Sequence, residues 1–175
     1  TSLDDIPPSD GIYYYGVTAI DGAGNESLLS AIVSATSDRQ PPSASVAFLP
    51  ASPVGPGDVG VMLTLSEPVT GTPYLGIAPV GEDAGVIELL RSNDTQWSGV
   101  YHITGSTPNG MASLSFYATD IIGNKGNQFT TGSSIYIDTA GPWASLQVTP
   151  VSNIHKPGIL TVSITLNETA PQAPS

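Results

Sequence analysis

Ala118-Thr119-Asp120-Ile121-Ile122-Gly123-Asn124 repeats a pattern present about 100 residues earlier as Ala19-Ile20-Asp21-Gly22-Ala23-Gly24-Asn25. Both stretches read A-x-D-x-x-G-N. Asp and Asn side chains bond nearby backbone amides, and Gly supplies positive φ, so the pattern predicts a tight turn between two strands. Two more pairs keep nearly the same spacing. Asp38, Pro41-Pro42 and Ala44-Ser45-Val46-Ala47-Phe48 match Asp138, Gly141-Pro142 and Ala144-Ser145-Leu146-Gln147-Val148. Val61-Met62-Leu63-Thr64-Leu65-Ser66-Glu67 matches Val162-Ser163-Ile164-Thr165-Leu166-Asn167-Glu168. Three matches at one period predict tandem modules of about 100 residues.

Pro41-Pro42 and Gly141-Pro142 read as linkers, because Pro cannot pair in a central strand and holds its predecessor extended. Residues 41–140 then form one complete module. Residues 1–40 are the C-terminal part of a preceding module, and residues 141–175 the N-terminal strands of a following one. The chain is expected to be an excerpt from a longer protein.

Composition supports an all-β reading and excludes several functions. With 4 Lys+Arg against 15 Asp+Glu, the net charge is −11, which leaves no clustered cations for a nucleic-acid surface or a polybasic membrane patch. Cys is absent, so disulfides and thiol chemistry are excluded. No apolar run is long enough for a membrane-spanning helix. Hydrophobic residues at 39% suffice for a core, while 19 Gly and 16 Pro suit short strands joined by many turns.

Alternation and turn punctuation predict seven strands in the middle module. Strand A is Ala44–Leu49, B Val59–Leu65, C Tyr74–Ala78, then an edge strand Val86–Leu90, E Trp97–Thr104, F Ala112–Ala118 and G Ser134–Asp138. The inward residues are Val61, Leu63 and Leu65, Leu75 and Ile77, Trp97, Tyr101 and Ile103, Leu114, Phe116 and Ala118, and Ile135 and Ile137. Seven short strands in about 100 residues predict an immunoglobulin-like β-sandwich flanked by two partial modules.

Trp97-Ser98-Gly99-Val100-Tyr101, the Ala118–Asn124 turn and Tyr136-Ile137-Asp138-Thr139-Ala140-Gly141-Pro142 together resemble the bacterial immunoglobulin-like modules strung along large secreted and cell-surface proteins. Those modules carry a W-x-x-x-Y strand, an A-T-D-x-x-G-N turn and a D-T-x-x-P linker. Tyr13-Tyr14-Tyr15-Gly16-Val17-Thr18-Ala19, followed by Asp21 and Gly24-Asn25-Glu26-Ser27, resembles instead the F–G hairpin of a fibronectin type III module. That resemblance implies that Tyr13 is the corner tyrosine, whose hydroxyl bonds back to the backbone. Ala112 stands at the equivalent place in the middle module.

The resemblance implies a non-enzymatic spacer in a secreted or cell-surface, adhesin-type protein, with other modules of the same polypeptide as its partners. Two alternatives belong to other classes: a carbohydrate- or protein-binding accessory module of a secreted hydrolase, and a fibre or surface-layer subunit completed by neighbouring chains. No catalytic constellation is expected. His102 alternates with inward residues and should face solvent, His155 lies in a loop, and Glu82, Asp83 and Glu88 read as a polar edge. Lys125 and Lys156 fall in loops, which predicts no Lys–Asn crosslink. The sequons at Asn25, Asn93 and Asn167 are what chance provides in a Ser/Thr-rich chain.

Two candidate sites remain. Tyr74, Tyr117 and Tyr136 share the outward parity on strands C, F and G and could form an aromatic face for sugar rings or a protein partner, although cross-strand pairing explains them more simply. Asp38, Glu67 and Asp120 should meet at one pole of the sandwich as candidate calcium ligands, because linker, B–C loop and F–G loop converge there. The competing reading pairs Arg39 with Glu67 and occupies Asp120 with turn hydrogen bonds.

Overall fold

The computed structural model describes residues 2–149 and 158–169, and every element among them is a strand or a turn. No helix there is long and apolar enough to cross a membrane. The first pair, β1 (Gly11–Tyr15) and β2 (Val33–Ser37), is antiparallel and stands apart as its own two-stranded sheet. Tyr13 donates its hydroxyl to the Ser9 carbonyl at 2.9 Å.

Residues 43–137 form a sandwich of two five-stranded sheets. In chain order its strands are β3 (Ser43–Leu49), β4 (Gly57–Leu65), β5 (Tyr74–Ala78), β6 (Gly85–Val86), β7 (Leu90–Arg91), β8 (Gln96–Ile103), β9 (Gly110–Thr119), β10 (Lys125–Gly126), β11 (Gln128–Thr131) and β12 (Ser134–Ile137). One sheet runs β11-β3-β4-β8-β7, and the other runs β10-β9-β5-β6 with β12 also paired to β9. A last antiparallel pair, β13 (Ala144–Thr149) and β14 (Thr161–Leu166), forms a separate sheet.

The alternation expected from the sequence is present where it was strongest. Val61, Leu63 and Leu65 on β4 point inward, as do Leu75 and Ile77 on β5 and Ile135 and Ile137 on β12. Leu63, Trp97 and Phe116 belong to one buried cluster between the sheets, with Leu63 and Trp97 directly paired across β4 and β8. The Arg91 guanidinium sits 5.9 Å from the Trp97 ring centroid. Phe129 on β11 tilts against Phe116 across the sheets, with ring centroids 5.8 Å apart.

Three expectations are corrected. The single edge strand Val86–Leu90 is two strands on different sheets: β6 pairs with β5, β7 pairs with β8, and buried Ile87 and Leu89 close the side of the sandwich between them. The long connection after the F–G turn is not a plain loop. β10 extends the pairing on β9, β11 crosses to pair in parallel with β3, and β12 returns to β9. Pro42 is fully buried, so this proline anchors the start of β3 rather than serving as a free linker.

Candidate functional site

Asp120 follows β9 and is almost completely buried. Its Oδ1 accepts from the backbone N–H groups of Ile122, Gly123 and Asn124 at 2.9, 2.6 and 2.8 Å, and its Oδ2 accepts from Asn124 Nδ2 at 2.7 Å. Gly123 completes the turn at φ 110°. The Asp21 turn repeats this build: Oδ1 accepts from Ala23 and Asn25 N–H at 2.8 and 2.9 Å, and Oδ2 from Asn25 Nδ2 at 2.9 Å. The A-x-D-x-x-G-N pattern is therefore a turn device in both places, as the sequence chemistry implies.

Asn124 Nδ2 also donates to the Asp38 carbonyl at 3.0 Å. One amide thus ties the F–G turn to the chain entering the sandwich. Glu67 follows β4 at the same pole. Asp38, Glu67 and Asp120 each place one carboxylate oxygen within 4.8 Å of the others. The sequence brought these three together correctly. It erred on Arg39, whose guanidinium reaches Asp10 at 3.5 Å and the Pro7 carbonyl rather than Glu67. Among the described residues no Lys, Arg or His forms an ion pair with the trio.

The electrostatics follow from this packing. Burial pushes the Glu67 carboxyl up, and the neighbouring charges of Asp38 and Asp120 push it further. Burial also works to raise Asp120, but the Asn124 amide and the backbone N–H groups of Asn124, Gly123 and Ile122 outweigh it, leaving that carboxyl below its ordinary value. These two groups act on stability in opposite senses. Glu67, raised in the fold, contributes stability below its ordinary value of 4.5 that is lost as pH rises through the raised one. Asp120, lowered in the fold, contributes stability above its ordinary 3.8 that is lost as pH falls through the lowered one. In metal-free buffer the melting temperature should therefore rise as pH falls toward 4.5 and collapse below 3.8. Glu67→Gln should raise the neutral-pH melting temperature and remove the rise on acidification. A variant with the wild-type pH profile would show that Glu67 is not under charge repulsion.

Calcium binds oxygen at about 2.3–2.6 Å, so two ligands of one ion lie no more than about 5 Å apart. The trio satisfies that limit, and carbonyls or water would have to supply the remaining ligands. No family model, curated protein or solved structure matches this chain. The chemistry of the site therefore rests on its own geometry.

The aromatic face is only partly assembled. Tyr74 and Tyr117 are direct cross-strand partners on β5 and β9, both half-exposed. Tyr74 lies over Gly76, where a Cβ would meet the Tyr74 ring end and hydroxyl, as an aromatic ring covering a strand glycine does. Tyr136 pairs with Met111 at the other end of β9, about 20 Å along the strand at about 3.3 Å per residue. The expected three-tyrosine face is corrected to a Tyr74–Tyr117 pair, with Tyr136 apart because β12 joins β9 only at its start.

The remaining candidates lie apart from one another. His102 is exposed and meets Asp58 at 2.6 Å across β4 and β8. Glu82, Asp83 and Glu88 are exposed around β6. Asn25 and Asn93 engage their amides in local turns. His155 and Lys156 lie outside the described residues. Sequence reasoning missed the Asn124–Asp38 tie. Its only signal was Asn at the end of each turn motif, which local turn chemistry already explained.

Proposed function

We propose that the chain is a structural segment of a secreted or cell-surface multi-module protein, in which immunoglobulin-like sandwiches in tandem act as a spacer. Residues 41–140 are the complete module of this reading, with a fibronectin type III-like part before it and the opening strands of a further module after it. The observation that carries the reading is the Asn124 amide, which bridges the Asp120 carboxylate and the Asp38 carbonyl. A spacer must resist bending where one module enters the next, and this tie holds the entering chain against the pole of the sandwich. Calcium held by Asp38, Glu67 and Asp120 would stiffen the same place by bridging the three carboxylates and offsetting most of their charge.

The tie is tested by Asn124→Ala. Residual dipolar couplings measured on the wild-type chain should fit one alignment tensor for β1–β2 and the 43–137 sandwich. The variant should require two. Separate tensors already in the wild type would sink the spacer reading. Calcium should raise the melting temperature, a chelator should reverse the rise, and Glu67→Gln should abolish it. An unchanged midpoint would remove the cation from the proposal and leave the amide tie alone.

A further inference from the structure

The central sandwich leaves part of one strand edge open. β4 pairs with β8 along the whole length of β8, from Gln96 to Ile103. β7 covers the other side of β8 only through Leu90 with Ser98 and Arg91 with Trp97. The chain before β7 leaves this edge because Ile87 and Leu89 are drawn into the core. Gly99 makes room for it: a Cβ there would meet the Glu88 carbonyl at 2.6 Å and Ile87 Cγ2 at 2.9 Å. Residues 100–103 of β8 therefore have no strand beside them on that side among the described residues.

Strand parity identifies the backbone groups that face the gap. The Leu65 N–H donates to the Thr95 carbonyl on the β4 side, whereas the Gln96 carbonyl accepts from Ser92 N–H at 2.8 Å on the β7 side. Successive residues of a strand direct their N–H and C=O groups to opposite edges. Gln96, Ser98, Val100 and His102 thus share the outer edge. Among the described residues nothing bonds the N–H and C=O groups of Val100 and His102 there.

The surroundings decide what fits this edge. Beside it lies an open pocket lined by Glu88, Leu90, Ser98, Gly99 and Val100, in which Leu90 is 75% and Val100 60% exposed. Burial pushes the Tyr101 phenol up, and the charge of Glu82 pushes it further, so Glu82 also stands near β8. No ion pair among the described residues includes Glu82 or Glu88, and the nearby cations are already engaged, Arg91 with Asp94 and His102 with Asp58. An open edge with apolar side chains is a template for a second copy. Here a copy of net charge −11 would bring more carboxylates against Glu82 and Glu88. The same two carboxylates attract a cationic chain.

We propose that the open edge of β8 is a docking site for an extended, lysine- or arginine-bearing segment of a partner protein, which adds to the sheet as a further strand. Its backbone pairs with Val100 and His102, its apolar side chains cover Val100 and Leu90, and its cations meet Glu82 and Glu88. The inference goes beyond the spacer role and does not rest on it, since every residue involved lies within the central sandwich.

A strand-length peptide alternating valine and lysine tests it on the full chain. Hydrogen exchange followed by NMR should show the Val100 and His102 amides slowed by the peptide, with Gly99 and Tyr101, already bonded to β4, unchanged. Val100→Pro removes a donor that points away from β4, so this variant should stay folded and lose the peptide. Glu82→Lys and Glu88→Lys should each weaken binding about fivefold, the scale of one exposed charge pair. A peptide alternating valine and glutamate should not bind. The proposal is overturned if the lysine peptide does not bind, or binds without slowing Val100 and His102. It is overturned equally if folded Val100→Pro binds as wild type does, if neither charge reversal weakens binding, or if the glutamate peptide binds as well. Wild type that self-associates through this edge would make the occupant a second copy and overturn it too.

Discussion

Phe116→Ala is expected to cost the sandwich about 3–5 kcal/mol of unfolding free energy, the usual range for a large aromatic side chain removed from a packed core. Phe116 is 4% exposed at the centre of the buried cluster, where it meets Phe129 from the opposite sheet. The substitution removes apolar burial and leaves a cavity that two paired sheets cannot collapse to fill. A loss of that size approaches the whole stability of an ordinary small domain, about 5–15 kcal/mol. Urea denaturation followed by tryptophan fluorescence reads it directly, since Trp97 lies in the same cluster. The neighbouring Tyr117→Ala, on the solvent side of the same strand, provides the contrast and should cost no more than about 1 kcal/mol. Equal losses at the two positions would mean that the inward and outward faces of β9 have been exchanged.

Gly132→Ala should be nearly as damaging, for a reason invisible in any side-chain contact. Gly132 follows β11 at φ 74°, and a Cβ there would overlap the Val46 carbonyl of β3. The left-handed conformation costs an alanine about 1–2 kcal/mol. Forcing backbone apart in a packed region typically adds about 1–3 kcal/mol. Gly105→Ala is the matched control, because a Cβ there meets nothing within 4 Å and no positive φ is required. The two variants should differ by several degrees in melting temperature. A Gly132→Ala protein that melts with the control would mean that β11 does not approach β3 as closely as described.

Most of the sandwich was legible in the sequence because its strands alternate cleanly. Where apolar residues recur at every second position, as in Val61-Met62-Leu63-Thr64-Leu65, the pleat leaves one choice of buried face. The long period was equally plain, since Asp138 and Val162–Glu168 follow Asp38 and Val61–Glu67 at nearly the same spacing. The Asp38–Glu67–Asp120 cluster was legible through the expected sandwich topology, which puts the entering chain, the B–C loop and the F–G loop at one pole.

The errors share one cause. A two-residue segment such as β6 or β7 has no period to detect, and which sheet it joins depends on which edge lies nearest after the chain has folded. The same holds for β11, whose Gln128-Phe129-Thr130-Thr131 could pair anywhere and is captured by the free edge of β3. Tyr136 has the right parity for the aromatic face, but parity fixes a side of the sheet and not a distance along it. Arg39 could have reached Glu67 by its length, and the position of Asp10 and Pro7 beside it decided otherwise. The sequence by itself determined the all-β class, the repeat, the buried face of each long strand and the residues of the acidic pole. Tertiary structure alone decided the sheet changes, the tie from Asn124 to Asp38 and the partner of Arg39. Each of those depends on distances between segments that the chain's own periodicity does not encode.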